Sequence, residues 1–377
     1  MARREQVAPM LASEQDKSLH GGGLCIGGRA MAASRRSGLR DLVLVALVFG
    51  LTVSVTGCGP AALGKPPPSG NPAVRAYVAS ALDFMDENGL YATGRKWKEA
   101  RALALASASS AETIAEIHSS LMWAVWAAGG KVHSRFVLPA GQLASFQLPT
   151  TGKNRPVVSF ATGSIAAIDV PEFSSSDTRE DQAYIDAGAQ GISDAETRAQ
   201  CGWIVDLRGN GGGNSFPMLG AVTPLLSQGA VLSFIRGDGT PEVVRIDGSD
   251  VTYETDGSTE TLVTSPVAGS SQAGRNIAVL QGPTSSAGES TLLAFRGQPG
   301  VRTFGETTTA GFATGNTVKT MSDGAVIVLT GTRMADRTGL TYPHGIEPDQ
   351  QTGPATVGED PTWAGAIDWL NANCAHP

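Results

Sequence analysis

The chain of 377 residues is 41% hydrophobic and 17% charged, and its formal net charge is −7. This length accommodates one large domain or two medium ones, and the hydrophobic fraction is ordinary for a globular protein with a sizeable core. Residues 58–377 alone carry 21 Lys and Arg against 31 Asp and Glu, a net charge of −10, which argues against nucleic acid as a partner.

The N-terminal region is typical of an export signal. Three arginines, the last of them Arg40, precede an apolar run over residues 42–55, and small residues separate this run from Cys58. The pattern resembles a bacterial lipobox, in which the cysteine is lipidated and becomes the mature N-terminus. Cleavage before Cys58 is favoured because the run is short for a membrane-spanning helix, and a retained membrane anchor is the alternative. The pattern predicts an exported lipoprotein on the extracytoplasmic face of a bacterial cell membrane.

The signal peptide has two candidate starts. A start at Met31 gives a signal peptide over 31–57 and makes residues 1–30 a mis-assigned upstream extension, whereas Met1 is the other candidate. Residues 58–72 are rich in Pro, Gly and Ala and carry almost no charge. This composition predicts a flexible tether between a lipid anchor and a folded body.

Two amphipathic helices are predicted in residues 73–135, which we expect to form an N-terminal helical subdomain. The second helix has a capping-box start at Ser109 with Glu112, and it ends at Gly129 and Gly130. The apolar residues with helical spacing are Val74, Val78, Leu82 and Met85 in the first helix, and Ile114, Ile117, Leu121 and Val125 in the second.

Residues 136–377 alternate between short apolar strands and helical patterns, which predicts a mixed α/β core. The predicted strands are 157–160, 165–170, 203–207, 277–280, 301–304 and 326–330. The predicted helices of this region are 217–226 and 287–295. Residues 231–272 are rich in Thr, Ser, Gly and Asp with local alternation, and they are predicted to be a β-rich insertion that walls a cleft.

Two loops that follow apolar strands offer the parts of a serine nucleophile site. Loop 284–289 places Ser286 where a strand meets a helix, near the positive end of the helix dipole and beside the Ala287 amide. Loop 208–214 contains three consecutive glycines, whose amides are free to bind an oxyanion. Either loop alone is weak evidence, because a lone serine is usually a cap or turn residue and a glycine run is often only a turn.

A serine needs a base to become a nucleophile, and two of the five histidines are candidates. His133 lies in a polar loop just beyond the predicted end of a helix, the kind of place where function is carried by a rigid scaffold. His344 lies in another loop and stays open as a rival. His118 borders the apolar face of its helix, which favours a structural role.

The four cysteines include two, Cys201 and Cys374, in the predicted mature body. In an exported protein these two could form a disulfide, and two buried free thiols are the alternative. No His, Cys and Asp cluster has the spacing of metal ligands, and no cofactor is predicted.

Taken together, these loops resemble the C-terminal processing peptidase family, which includes the tricorn-type proteases. The resemblance covers residues 74–349 and implies a ClpP/crotonase-like serine peptidase core over 136–377, with the catalytic histidine in the helical subdomain. The matching segments, in the order of the family, are 130–136, 203–214, 284–289, 305–308, 322–324 with 329–330, and 345–349.

The resemblance also assigns roles to individual residues. The nucleophile is the serine three residues before Glu289, which is Ser286 rather than Ser285, and the histidine of the family aligns with His133. The implied oxyanion donors are the backbone amides of Gly211 or Gly212 together with Ala287.

The chain departs from the family's Ser/Lys members at the base. Their lysine, counted 22 residues on from Glu289, falls here on Gly311, and Lys319 lies eight residues too late. A Ser286–His133 pair is therefore expected in place of a Ser/Lys dyad.

The partner that orients the histidine stays open. Tricorn-type enzymes place a serine directly before the histidine, and this chain has Val132 there. Candidates for the third member are Glu289, Glu306 and Asp349, although Glu289 and Asp206 could instead be structural groups that hold the two loops.

Within the family, residues 203–219 are most similar to the nisin-resistance type of peptidase. Those enzymes are membrane-anchored, lack a PDZ module and trim the C-terminal end of an antimicrobial peptide. The resemblance implies an endopeptidase that forms an acyl-enzyme and cleaves lantibiotic-like or other extracytoplasmic peptides near their C-terminus. Asn214, Ser215 and Phe216 are predicted to contact the substrate. A non-catalytic ligand- or peptide-binding lipoprotein on the same fold is the alternative.

Overall fold

The structure of the protein, a computed structural model, describes residues 70–139, 153–269 and 275–374. The predicted signal peptide, the candidate lipidation site Cys58 and the tether up to residue 69 lie outside these ranges. Within them, no helix is long and apolar enough to cross a membrane.

Helices and two β-sheets make up the described part of the chain, which confirms the predicted mixed α/β class. The helices are α1 (Pro72–Asn88), α2 (Arg95–Ala108), α3 (His118–Gly129), α4 (Thr178–Ala195), α5 (Ser215–Val222), α6 (Ala287–Phe295) and α7 (Pro361–Ala372). The strands are β1 (Arg135–Val137), β2 (Val157–Phe160), β3 (Ile165–Asp169), β4 (Gly202–Asp206), β5 (Gly229–Arg236), β6 (Pro241–Asp247), β7 (Asp250–Thr255), β8 (Ser258–Thr264), β9 (Ile277–Gln281), β10 (Val301–Gly305), β11 (Thr314–Thr320), β12 (Val326–Asp336) and β13 (Gln350–Gln351).

The first sheet has the order β13-β10-β9-β4-β3-β2, and all its neighbours are parallel except β2 and β3. Its central strands are apolar on both faces because each face packs in a different cluster. In β4, Trp203 packs in the cluster that contains Leu219 of α5, whereas Ile204 packs with Leu370 of α7. Since β4 and β9 are parallel neighbours, the loops that follow them leave the same edge of the sheet.

The second sheet is antiparallel, with the order β1-β12-β5-β6-β7-β8 and with β11 also paired to β12. Strands β5 to β8 form the region that was predicted as a β-rich insertion over 231–272. The eleven-residue strand β12 is central, because it pairs with β1, β5 and β11.

The helical region differs from the prediction in its second helix. Helix α2 was not predicted, and the capping box at Ser109 is wrong: Ser109 ends α2, and its hydroxyl donates to the carbonyl of Ala106. A 3₁₀ turn over Ile114–Ile117 precedes α3 instead. The buried face of α2 is mostly alanine, which gives a weak apolar period.

Helices α1 and α3 pack on the second sheet. Their apolar cluster includes Ile327 and Leu329 of β12 and Phe136 of β1. The helical region and the peptidase core therefore share apolar packing, and the segment that follows α3 is fixed against β12.

Candidate active site

Ser286 lies in the loop between β9 and α6, at the N-terminal end of that helix. Its φ of 55° makes it one of two non-glycine residues with positive φ in the described ranges. The carboxylate Oε2 of Glu289 accepts the Ser286 N–H at 3.0 Å, and the Ser290 N–H donates to the Ser286 carbonyl at 3.1 Å. Two residues in the first turn of α6, Glu289 and Ser290, thus hold Ser286 in a conformation that serine rarely adopts on its own.

His133 approaches Ser286 from a distant part of the chain. Its Nε2 lies 3.3 Å from Ser286 Oγ, and its Nδ1 lies 2.8 Å from Thr314 Oγ1. The ring is tilted against Phe312 at a centroid distance of 4.9 Å. His133 and Ser286 are each 3% exposed, so the pair is shielded from bulk water.

A buried hydroxyl network fixes the backbone next to His133. The Ser134 hydroxyl donates to Thr330 Oγ1 and accepts the Thr330 N–H, both at 3.0 Å. Thr330 in turn donates to Asn316 Oδ1, and Asn316 Nδ2 donates to the His133 carbonyl at 3.4 Å. A Cβ at Gly129 would lie 2.2 Å from Ser134 Oγ, so glycine at this helix end allows the network to form.

The adjacent serine has a different environment. The Ser285 hydroxyl donates to the Gly211 carbonyl at 3.0 Å, and its N–H donates to the Asn210 carbonyl at 3.0 Å. Ser285 therefore joins the two loops, and Ser286 is the serine that faces His133.

The glycine loop lies directly against Ser286. A Cβ at Gly212 would approach Ser286 Cβ to 2.7 Å and the Ala287 nitrogen to 3.0 Å, and φ at Gly212 is 108°. The Gly212 N–H donates to Asn210 Oδ1 at 2.9 Å, so this amide is occupied. The N–H groups of Gly211 and Ala287 have no hydrogen-bond acceptor among the described residues. Of the three amides predicted as oxyanion donors, these two are therefore the ones open to a ligand.

Charged and hydroxyl side chains fix the start of each of the two loops. Arg208 pairs with Asp206 at the end of β4 and with Asp360, which caps α7. Thr284 Oγ1 donates to the Leu207 carbonyl at 2.8 Å. These contacts agree with a structural role for Asp206 in holding the loop that follows β4.

Glu289 also has a structural environment. It is fully buried, Oε2 accepts from Ser286 as described above, and Oε1 accepts from Thr308 Oγ1 at 2.6 Å. Burial raises the pKa of Glu289 to about 8, against the opposing effect of the bonds from Thr308 and Ser286. Asp349 accepts from the Thr303 N–H and hydroxyl.

None of the three carboxylates considered as a third member is hydrogen-bonded to the His133 ring within the described ranges. The side chain that does contact Nδ1, Thr314, was not anticipated. Its segment, Thr314 to Thr317, is mostly polar, so it shows no apolar period that marks a strand.

Neither of the other two histidines in the described ranges is hydrogen-bonded to Ser286. His344 is exposed in its loop, and His118 Nε2 lies 3.1 Å from Asp323 Oδ2, which agrees with a structural role. His20 and His376 fall outside the described residues. Lys319 lies in β11 with its Nζ 5.5 Å from the centre of the Phe84 ring.

The three residues predicted to contact the substrate differ in their surroundings. The Asn214 side chain caps α5 by accepting the Phe216 N–H at 3.2 Å. Ser215 is fully buried and accepts from the Ser290 hydroxyl at 2.8 Å. Phe216 is also buried, at 8% exposure, and it lines a cavity of about 720 Å³, whereas Asn214 is partly exposed.

This cavity lies between the end of α1, the β5–β6 hairpin and β11. Its apolar wall is Phe216, Phe234 and Tyr253, and the ring of Tyr253 contacts both phenylalanines at centroid distances of 6.1 and 6.3 Å. Gly315, next to Thr314, lines the same cavity. Neither Ser286 nor His133 lines the cavity, but Asn316, which donates to the His133 carbonyl, does.

Cys201 and Cys374 are joined in a disulfide, so the alternative of two free thiols is excluded by the structure. Within the described ranges, no group of three or more His, Cys, Asp and Glu side chains could hold a metal ion. The arrangement as a whole provides a hydroxyl, an imidazole within reach of it and two open amides, the parts that acyl transfer requires.

Comparison with known proteins agrees with this chemistry. The nisin-resistance protein of Lactococcus lactis subsp. lactis is 28% identical over 311 residues, which cover 80% of this chain and 88% of that protein. A solved lipoprotein from Streptococcus agalactiae is similar with a TM-score of 0.61 at 25% identity, over 82% of this chain and 99% of that one. The photosystem II D1 C-terminal processing protease shares the fold with a TM-score of 0.54 at 15% identity, over 78% of this chain and 97% of that one.

The model of peptidase family S41 matches residues 164–352, half of the chain. The predicted resemblance to the C-terminal processing peptidases is thereby confirmed. This chain belongs to peptidase family S41 and is a serine peptidase.

Proposed function

We propose that Ser286 is the nucleophile and His133 the general base of this serine peptidase. The observation that carries the proposal is the 3.3 Å contact between Ser286 Oγ and His133 Nε2 in a site with open amides. The Ser286 hydroxyl attacks the peptide carbonyl while Nε2 takes its proton, and the same nitrogen then protonates the leaving amine. A water molecule, deprotonated in turn by His133, hydrolyses the acyl-enzyme.

The developing oxyanion is held by the N–H groups of Gly211 and Ala287 in this proposal. Both amides belong to residues next to the contact between Gly212 and Ser286. Each such donor contributes roughly 3–4 kcal/mol to transition-state stabilisation in comparable hydrolases. The Gly212 amide is not included because Asn210 already accepts its proton.

The substrate is proposed to be an extracytoplasmic peptide that is cleaved near its C-terminus, with lantibiotic-like peptides as the leading class. The relative named for nisin resistance supports this class. The cavity lined by Phe216, Phe234 and Tyr253 would accept an apolar side chain of that peptide.

The test is peptide cleavage followed by mass spectrometry, with nisin and linear exported-type peptides as substrates. We expect Ser286→Ala and His133→Ala to lose cleavage by roughly 10⁴-fold or more. His344→Ala is the matched control, because His344 is an exposed loop histidine. Cleavage retained by Ser286→Ala would refute the nucleophile assignment.

A fluorophosphonate probe separates this proposal from a non-catalytic binding role. The wild-type protein should be labelled covalently, and Ser286→Ala should not. A wild-type protein that binds peptides but is never labelled would favour the binding alternative.

We also propose that the protein is anchored to the outer face of the membrane through a lipid on Cys58. The lipobox-like residues before Cys58 support this, as does similarity to a streptococcal lipoprotein. Replacement Cys58→Ala should move the protein from the membrane fraction to the soluble fraction in cell fractionation. Unchanged membrane association would favour a retained anchor instead.

A further inference from the structure

The first residues of β11 and those just before it surround His133. Phe312 packs against the imidazole face, Thr314 Oγ1 lies 2.8 Å from Nδ1, and Asn316 donates to the His133 carbonyl. One short segment therefore contacts the imidazole ring of His133, its Nδ1 atom and its backbone carbonyl.

The proton on the imidazole decides whether His133 can act as a base. A neutral imidazole carries one N–H, and the nitrogen that accepts the Ser286 proton must be the other one. If Nε2 is to accept from Ser286, the proton belongs on Nδ1, which then needs an acceptor. Thr314 Oγ1 is placed at hydrogen-bond distance to be that acceptor.

We propose that Thr314 is the positioning residue of the catalytic histidine, with its hydroxyl holding the proton on His133 Nδ1 so that Nε2 stays free for Ser286. This proposal rests on the proposed Ser286–His133 mechanism. It assigns to a neutral hydroxyl the orienting role that a buried carboxylate has in Ser-His-Asp enzymes.

The local structure limits where the Thr314 hydroxyl can point. Thr314 pairs with Arg333 of β12, and the Met334 N–H donates to the Ala313 carbonyl at 2.9 Å, so the backbone is fixed on both sides. A β-branched side chain in a strand has few χ1 rotamers. The register of β11 against β12 shifts between Gly315 and Asn316, the kind of irregularity that re-aims side chains beside active sites.

The segment also lies where the family's Ser/Lys members carry their base. Gly311, at the counted lysine position, has a φ of 83° and faces Val132, the neighbour of His133. The same stretch of chain that supplies the base in Ser/Lys members thus supplies the partner of the base here.

The experiment compares two substitutions of Thr314 in the full-length protein by peptide cleavage kinetics. Thr314→Val removes the hydroxyl and keeps the side-chain shape, and we expect kcat to fall on the order of 10- to 100-fold with KM little changed. Thr314→Ser keeps the hydroxyl and should retain kcat within about threefold. Thr320→Val is the matched control, because Thr320 is an exposed threonine at the far end of β11.

The second readout is the tautomer of His133, measured by ¹⁵N NMR of histidine-labelled protein, with His133→Gln to assign the signal. We expect the Nδ1–H form in the wild type and a population of the Nε2–H form in Thr314→Val. A wild-type Nε2–H form, a Thr314→Val protein with more than half of the wild-type kcat, or a Thr314→Ser protein as slow as Thr314→Val would each overturn the positioning role.

These outcomes separate the two proposals. If Ser286→Ala or His133→Ala stays active, the mechanism itself is refuted. If both are inactive while Thr314→Val is as active as the wild type, the mechanism stands and the role of Thr314 is refuted.

Discussion

Ser286 has a backbone conformation that costs free energy, and its neighbours hold it there. A non-glycine residue at a φ of 55° and ψ of −120° lies in a sparsely populated region, at a cost of roughly 1–3 kcal/mol. The bonds to Glu289 and Ser290, together with the close Gly212 backbone, maintain it. The position of the Ser286 hydroxyl therefore depends on these contacts of the Ser286 backbone.

Glu289 makes the stability of this site depend on pH. Burial raises the pKa of Glu289 to about 8, above its ordinary value of 4.5. A carboxyl with a raised folded-state pKa favours the folded protein when protonated, so its contribution is full below pH 4.5 and is lost as pH rises through 8. We expect Glu289→Gln, a neutral replacement of the same shape, to lose less thermal stability between pH 6 and pH 9 than the wild type does.

The measurement is Tm against pH for both proteins by differential scanning calorimetry. The Asp247→Asn variant controls for the loss of one carboxylate, since Asp247 is exposed at the end of β6. Parallel Tm curves for the wild type and Glu289→Gln would contradict the prediction.

At the scale of single residues, some members of the candidate site can be predicted from the sequence and others cannot. Ser286, Glu289 and the glycines have fixed spacing within single loops, so a motif finds them. Thr314 is a threonine in a polar strand, and only the approach of His133, 181 residues away along the chain, gives it a partner. The buried state of Ser215 was missed because its partner, Ser290, comes from another helix.

At the scale of elements, Asp323 in the β11–β12 turn ties the hairpin to two helices. Its Oδ1 accepts from the Tyr77 hydroxyl of α1 at 2.9 Å, and its Oδ2 lies 3.1 Å from His118 Nε2 of α3. Partial burial opposes ionisation, but bonds from the Ala325 amide, Tyr77 and His118 hold the pKa of Asp323 below its ordinary value. This contribution is present above pH 3.8 and is lost as pH falls through the folded-state pKa.

We expect Asp323→Ala to lower the free energy of unfolding at pH 7 by about 2 kcal/mol, because it leaves two buried partners unpaired. Asp238→Ala is the control for stability, since Asp238 is exposed and caps the β5–β6 turn through the Thr240 amide. Urea titration at pH 7 measures both. Equal losses for the two variants would show that the contacts of Asp323 add nothing specific.

The predictions for helices and strands were accurate where apolar residues are large and periodic. Helix α6 and strand β2 have the predicted bounds, and β3, β4, β9 and β10 differ by a residue or so at one or both ends. Helices α4 and α7 and strands β1 and β11 were not predicted. Strand β1 has only three residues, and its place at the edge is fixed by pairing with β12, which local sequence does not encode.

At the scale of the whole molecule, the candidate site joins segments that are far apart in the chain. The family match begins at residue 164, so it covers Ser286 and the glycine loop but not His133. His133 reaches Ser286 because α3 packs on β12 and β12 pairs with β11. The approach of His133 to Ser286 could be proposed from the family resemblance, but no single segment of the sequence indicates it.

The bond between Cys201 and Cys374 connects the residue just before β4 to the end of α7, 173 positions apart. Such a bond forms in oxidising compartments and is rare in reducing ones. The oxidation state of Cys201 and Cys374 would therefore record the compartment in which each molecule folded. Precursor retained in a reducing cytoplasm would carry free thiols at Cys201 and Cys374, and a thiol-alkylating mass tag on these two positions could count exported and retained copies in the same cells.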